Sequence, residues 1–205
     1  MIKTLLFDFG DIFINLDKPA TERGLKQLGM TQFSSEMIQL NEAYEKGEIT
    51  TEHFISAYQQ HFPKAQYNEL ISLWNAILLD FPLYRLHFLL QLKKKHSFKF
   101  VLLSNTNELH IDWVKENVSF YNSFYSCFDA FYLSHEIGMR KPDAEIFEFV
   151  LREQNCSASE VLYVDDTQEH ILTAQQMGIH TWHLNPAKED ITALLTHQKH
   201  LLCSI

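Results

Sequence analysis

Three cysteines in 205 residues, Cys127, Cys156 and Cys203, are an odd number without paired spacing. That argues against a disulfide framework and against a structural zinc site. No apolar run reaches the length of about eighteen residues that a membrane span needs. The first residues lack the basic, apolar, small-residue order of a secretory signal, because Asp8 interrupts the apolar run. Basic charge is also short. With 17 Lys and Arg against 26 Asp and Glu, the formal net charge is −9, which argues against nucleic-acid binding through backbone neutralisation. No internal repeat or low-complexity linker is visible. These absences point to a soluble, cytoplasmic protein in a reducing compartment, with neither a nucleic acid nor a membrane as partner. Oligomeric state is not legible. What is present is ordinary apolar content with 16 phenylalanines, enough for one domain or one domain with an insertion.

The chain is organised around Ile2–Gly10, I-K-T-L-L-F-D-F-G. A short apolar run of this kind reads as a strand buried on both faces. It ends at a carboxylate, Asp8. Such a group is costly to bury unpaired, and ligands of open parallel sheets sit outside the carboxyl ends of the strands. Taken alone, Asp8 is equally well a strand-ending residue that bonds the next turn.

From Asp17 to about Asp80 the pattern is helical, with apolar spacings of three and four in Thr21–Leu28, Ser34–Glu45, Thr50–Gln60 and Ala65–Leu79. From Pro82 onward strands and helices alternate. Strands are expected at Phe98–Leu103, Phe128–Leu133, Val161–Val164 and Ile179–Leu184. Helices are expected at Leu83–Lys95, Glu108–Asn117, Ala144–Gln154, Gln168–Met177 and Ile191–Leu202. The alternation predicts an α/β fold with a parallel sheet. Residues 1–15 and 82–205 form its core, and residues 16–81 form a small all-helical unit inserted after the first strand.

Polar groups gather at the strand ends. Asp8 closes the first strand, Ser104 and Asn105 the second, Asp165 and Asp166 the fourth, and Lys141 lies in the loop before the helix at Ala144. Clustered carboxylates repel one another and call for a cation. An all-oxygen donor set suits Mg²⁺, while an ammonium and a hydroxyl suit a phosphate. An Asp carboxylate can attack phosphorus and form an aspartyl-phosphate. Each piece is weak alone, and their shared position carries the reading.

These residues resemble the four motifs of the haloacid dehalogenase superfamily, most of whose members are phosphatases. Phe7-Asp8-Phe9-Gly10-Asp11 matches the first, Leu103-Ser104-Asn105 the second, Lys141 the third and Val164-Asp165-Asp166 the fourth. The helical insertion resembles the cap of one family class. The stretches around Ser104 and Lys141 are similar to a bacterial subgroup of sugar-phosphate phosphatases acting on glucose 1-phosphate. The resemblance implies a three-layer Rossmann-like sheet of order 3-2-1-4-5. It implies Asp8 as nucleophile, with Ser104 and Lys141 as its catalytic partners. Mg²⁺ would be bound by Asp8, Asp166 and the Gly10 carbonyl, with Asp165 reaching it directly or through water. Phe9, Gly10, Ser104, Asn105 and Lys141 would hold the phosphoryl group of a small phosphorylated metabolite.

The departure is Gly10, where family phosphatases usually carry a second Asp as general acid and base, help worth about 10²–10⁴-fold. The similar subgroup also has Gly there. Asp11 is adjacent, but neighbours in extended chain point to opposite sides. A leaving group of low pKa, such as an anomeric sugar oxygen or an acyl phosphate, would need the acid less. Gly10 keeps two alternatives open: a metal-independent 2-haloacid dehalogenase and a non-catalytic binding protein of the same fold. His135 and Glu136 are expected near the crevice, and His170 and Glu169 on a solvated helix face. Phe33, Tyr44, Glu45 and Trp74 are cap residues that either face substrate or fill the cap core.

Overall fold

Strand β1, Thr4–Phe7, is the centre of a five-stranded parallel sheet of order β3-β2-β1-β4-β5. The computed structural model describes residues 1–202, so Cys203 lies outside the described residues. The other strands are β2 (Lys99–Ser104), β3 (Ala130–Leu133), β4 (Val161–Asp165) and β5 (His180–His183). Phe7 pairs in register with Leu102 of β2 and Val164 of β4. That register brings the residues following these strands to one edge. β1 is shorter than its apolar run because the chain turns at Gly10 and bonds back on itself, Asp11 N–H to the Ile14 carbonyl at 2.7 Å.

Alternate side chains of β1 feed two different cores, as a strand period of two requires. Leu5 and Phe7 point into an aromatic-rich layer with Phe13, Phe100 and Phe124. Helices α5 (Leu83–Lys95), α6 (Glu108–Asn117) and the short α7 (Tyr121–Tyr125) cover that face. Leu6 points the other way, towards Ile146, Phe147 and Ile171, under the later helices that cover the opposite face. The result is three layers, as the resemblance implied.

The inserted unit has its own core of Leu25, Met37, Tyr44, Phe54, Tyr58 and Leu70. It is built from α1 (Ala20–Gln27), α2 (Ser35–Glu45), α3 (Thr51–His61) and α4 (Tyr67–Asn75). The Ser34 and Thr50 hydroxyls accept from the amides of Met37 and His53, giving α2 and α3 single side-chain caps. The expected helix to Leu79 ends early at Asn75. Leu78 instead forms an antiparallel bridge with Leu16, and the Asn15 amide donates to the Asp80 carbonyl at 2.9 Å. The two connections between cap and core therefore run side by side as a ribbon.

Two short helices escaped the periodicity: α7 and α8 (Ser134–Ile137), the latter directly after β3. Helices α9 (Ala144–Glu153) and α10 (Gln168–Gln176) lie within a residue of expectation at either end. The expected final helix over Ile191–Leu202 is broken. It begins as a 3₁₀ turn at Ile191–Ala193, continues as α11 (Leu194–His197) and restarts as α12 (Lys199–Leu202). Cys127 and Cys156 are free thiols. Among the described residues no helix is long and apolar enough to cross a membrane.

Candidate active site

The Lys141 ammonium is the hub of the sheet edge. It is fully buried, and it donates to Asp8 Oδ1 at 2.7 Å, Asp165 Oδ2 at 2.9 Å and the Leu103 carbonyl at 2.9 Å. A buried charge of this kind is tolerated only when paired and fully hydrogen-bonded. Burial works against the ammonium, yet Asp165 and Asp8 overcome it and raise its pKa above the ordinary lysine value.

Asp8 is itself almost buried, and burial pushes its carboxyl up to about 6 against the opposing pull of Lys141. Asp165 goes the other way. Burial would raise it, but Lys141 and His170 hold it below the usual carboxylate range. Its oxygens are heavily engaged. Oδ2 also accepts from the Tyr163 hydroxyl and from His170 Nδ1 at 3.0 Å, and Oδ1 accepts from the Thr167 amide at 2.6 Å. Buried beside these carboxylates, the Tyr163 phenol is raised well above its ordinary pKa. His170, expected on a solvated face, is thus corrected: α10 starts just after Asp166, and its first turn swings the imidazole back onto Asp165.

Ligand oxygens of Asp8, Asp165 and Asp166 lie within 4.8 Å of one another. Hard oxygen donors at this spacing, with no Cys or His among them, fit Mg²⁺ with water filling further positions. Asp8 and Asp166 have oxygens to offer such an ion. Asp165 Oδ2 is crowded by three donors, whereas its Oδ1 accepts only from the Thr167 amide and keeps a lone pair facing the cluster.

Ser104 ends β2 and is buried. Both polar atoms of the Asn105 side chain are taken by the Lys141 backbone. Its Nδ2 donates to the Lys141 carbonyl at 2.8 Å, and its Oδ1 accepts from the Lys141 amide at 2.9 Å. The side chain thus clamps the lysine loop, in the same cleft as Ser104. The Ser134 hydroxyl fixes the next residue, bonding both the amide and the carbonyl of Thr106 at 2.9 Å. The Phe9 ring stacks on Phe124 in the core, so only its backbone faces the edge.

Gly10 is not merely short of a carboxylate. A Cβ at this position would lie 2.6 Å from Leu16 Cδ1, so a leucine side chain fills the space beside it. Asp11 adopts a left-handed backbone, φ 55°, and its Oδ1 accepts from the Leu16 amide at 3.0 Å.

Above the edge lies a cleft between core and cap. One section of about 120 Å³ is lined by Gly10, Leu16, Ser104, Asn105 and His110. A second of about 210 Å³ is lined by Lys18, Asn41 and all four singled-out cap residues, Phe33, Tyr44, Glu45 and Trp74. Tyr44 also belongs to the cap core, stacked on Phe54 at 4.1 Å. Glu45, Ile77, Asn107 and His110 line both sections. The volumes are small against ligand pockets of roughly 300–1,000 Å³.

The seam is held by polar contacts. Arg140, next to Lys141, bonds Glu45 at 3.0 Å and Glu42 at 3.2 Å on α2. Burial raises the Glu45 carboxyl, with Arg140 opposing. His110 Nε2 donates to the Trp74 carbonyl at 3.0 Å while its Nδ1 accepts from Asn107 at 3.2 Å, which fixes a neutral imidazole. Burial accordingly lowers its pKa to about 4. His135 lies elsewhere on the seam with Tyr44 and Gly47, and Glu136 lies with Lys115 and Tyr121, away from Asp8.

Sequence reasoning missed Lys18, Tyr163 and the contact made by His170. Tyr163 was findable, since it sits two residues before Asp165 on the same strand face. Lys18 carried no local signal.

A family model for haloacid dehalogenase-like hydrolases matches residues 5–183. The chain is 26% identical over 190 residues to a D-ribitol-5-phosphate phosphatase of Bacteroides thetaiotaomicron, covering 89% of this chain and 91% of that protein. Among solved structures it resembles a haloacid dehalogenase family enzyme of the same organism in complex with magnesium. The TM-score is 0.84 and the identity 32%, over 95% of this chain and 98% of that one. The wild-type complex of that enzyme with magnesium and inorganic phosphate superposes with a TM-score of 0.82 at 33% identity, over 95% and 99% of the two chains.

Proposed function

The chain belongs to the haloacid dehalogenase-like hydrolase family, as a phosphoric monoester hydrolase whose cofactor is Mg²⁺, and from that premise we propose that it hydrolyses a small phosphorylated sugar or sugar alcohol through an aspartyl-phosphate on Asp8. The observation that carries this reading is the Lys141 ammonium bridging Asp8 and Asp165 beside the three-carboxylate cluster.

Lys141 holds Asp8 by Oδ1, which leaves Oδ2 to attack phosphorus. The new bond is Asp8 Oδ2–P, and the bond that breaks joins phosphorus to the substrate's ester oxygen. Water then attacks the phospho-aspartate, releasing phosphate and restoring the carboxylate. Bound by Asp8, Asp166 and the Gly10 carbonyl, Mg²⁺ would neutralise charge on the phosphoryl oxygens. Lys141 and the Ser104 hydroxyl supply the remaining donors, with backbone amides of the Phe9–Gly10 and Asn105 loops. Asn105 acts on the lysine, because its side chain holds the Lys141 backbone at both ends.

Gly10 offers no carboxylate to protonate the departing oxygen, and Leu16 lies beside the position. Within the sugar-phosphate class this favours anomeric phosphates over primary alkyl phosphates. The relative's D-ribitol 5-phosphate is of the second kind. Glucose 1-phosphate, D-ribitol 5-phosphate and a haloacid, each with and without Mg²⁺, form the test. Phosphate release that needs Mg²⁺ and vanishes in Asp8→Asn is the expected result. Halide release without metal, or undiminished phosphate release in Asp8→Asn, would overturn the reading.

A further inference from the structure

Lys18 stands in the turn between the ribbon and α1, and its ammonium lies across the mouth of the site. It pairs with Asp166 Oδ2 and lies 3.3 Å from Asp11 Oδ2. The same side chain lines the cap section of the cleft. Its backbone is well fixed. On one side the Asp17 amide donates to the Ile77 carbonyl at 2.8 Å, and on the other the chain enters α1 at Ala20. The side chain is half exposed, at 49%, so it can turn about its own bonds without moving the chain.

The charges do not balance. Among the described residues, Asp8, Asp11, Asp165 and Asp166 pair with the ammonium groups of Lys18 and Lys141 alone, with the His170 imidazole donating to Asp165. Two negative charges remain in formal excess, the complement of one divalent cation. An ammonium on Asp166 and a divalent ion on the same carboxylate would stand at contact range with like charge, which is strongly unfavourable in a partly buried site. Asp11 offers the ammonium another seat. Its carboxylate is already turned towards Lys18, fixed there by the Leu16 amide and by the left-handed turn at Asp11.

We infer that Lys18 is a resident counter-ion for the metal position: it neutralises Asp166 while no divalent ion is bound, and moves onto Asp11 when Mg²⁺ enters. This rests on the Mg²⁺-dependent reading above. Lys18 then has two effects. It keeps the carboxylate cluster from repelling itself in the metal-free protein, and it competes with the metal, setting a weaker apparent affinity than the cluster alone would have. Once displaced it remains in the cleft as a cation beside the incoming phosphate.

The test is Mg²⁺ binding by calorimetry on the whole protein without substrate, together with thermal unfolding with and without Mg²⁺. Lys18→Met is expected to bind Mg²⁺ roughly fivefold more tightly, the scale of one partly exposed ion pair. It is also expected to unfold at a lower temperature without metal and at the wild-type temperature with saturating Mg²⁺. Lys18→Arg, which keeps the charge, should bind like wild type. Equal or weaker Mg²⁺ affinity in Lys18→Met overturns the inference and leaves the phosphatase reading standing. Wild-type protein that binds no Mg²⁺ at millimolar concentration would sink the metal-dependent reading itself, and the inference with it.

Discussion

Replacing Lys141 by Met keeps most of the side-chain volume and removes only the charged end. The variant buries Asp8 and Asp165 without their shared ammonium, and the Leu103 carbonyl loses its donor. Breaking a buried pair from one side costs about 3–5 kcal/mol. Against a total of roughly 5–15 kcal/mol for a folded domain, that is a large share. At about 2–4 °C per kcal/mol for a chain of this size, melting should fall by roughly 6–20 °C. The loss must also depend on pH. Asp8 already has a folded value of about 6 against an ordinary 3.8, and without Lys141 it goes higher still. The native state of the variant then binds more protons than the unfolded chain over that window, so its stability falls as pH rises through it. In the wild type, Asp165 is held low, so it contributes stability at neutral pH that is lost on acidification. The Asp165 part is lost only below its ordinary value of 3.8, so between about pH 5 and about pH 7.5 it is Asp8 that shrinks the gap between the two proteins in acid. Urea unfolding at about pH 5 and about pH 7.5, without metal, measures it; the variant should lose clearly more at the higher pH. An equal loss at both values would mean that Lys141 packs but does not neutralise, and the charge argument for the site would fail.

Gly10→Asp places a Cβ against Leu16, so alone it should gain little activity; with Leu16→Ala added, turnover of a primary alkyl phosphate should rise about tenfold or more, within the usual span of acid catalysis. Equal rates in the single and double variants would refute the idea that Leu16 blocks the acid position. Gly47→Ala is strained twice, by φ 67° and by a Cβ lying 2.0 Å from the His135 carbonyl. It should lose at least about 1–2 kcal/mol in thermal unfolding and raise KM by loosening the cap seam, and an unchanged melting temperature would contradict this. Since the metal-free Asp8 carboxyl titrates near 6, Mg²⁺ affinity should weaken as pH drops below about 6, because protons compete for that oxygen. Calorimetry across that range decides it, and a flat profile would remove Asp8 from the ligand set.

Much of this was legible because buried parallel strands are short apolar runs, and the polar residue that ends each run is conspicuous. Asp8, Ser104 and Asp165 stand out in that way, and the structure brings them with Lys141 to one edge. Tyr163 did not stand out, because inside an apolar run a tyrosine reads as core until its neighbour two residues on is seen to be a buried acid. Lys18 was invisible for a different reason. Its contact with Asp166 spans most of the chain and depends on the ribbon that sets where the cap begins. Helix α4 was overextended because Leu78 and Leu79 kept the helical spacing while their backbone went to the same ribbon. The grip of Asn105 on the Lys141 backbone was not legible, because an amide after a strand looks alike whether it faces a ligand or a neighbouring loop.

That ribbon has a further consequence. Because the outgoing and returning threads are hydrogen-bonded neighbours at Asn15 and Asp80, the backbone enters and leaves the helical insert at one place, and the rest of its hold on the core is made by side chains such as Arg140 and His110. The insert's interior core of Leu25, Phe54 and Tyr58 is separate from the two cores that flank β1. Diversification of what is recognised is thereby uncoupled from the apparatus beneath it, and Lys18, rooted where the two meet, is one residue that answers to both.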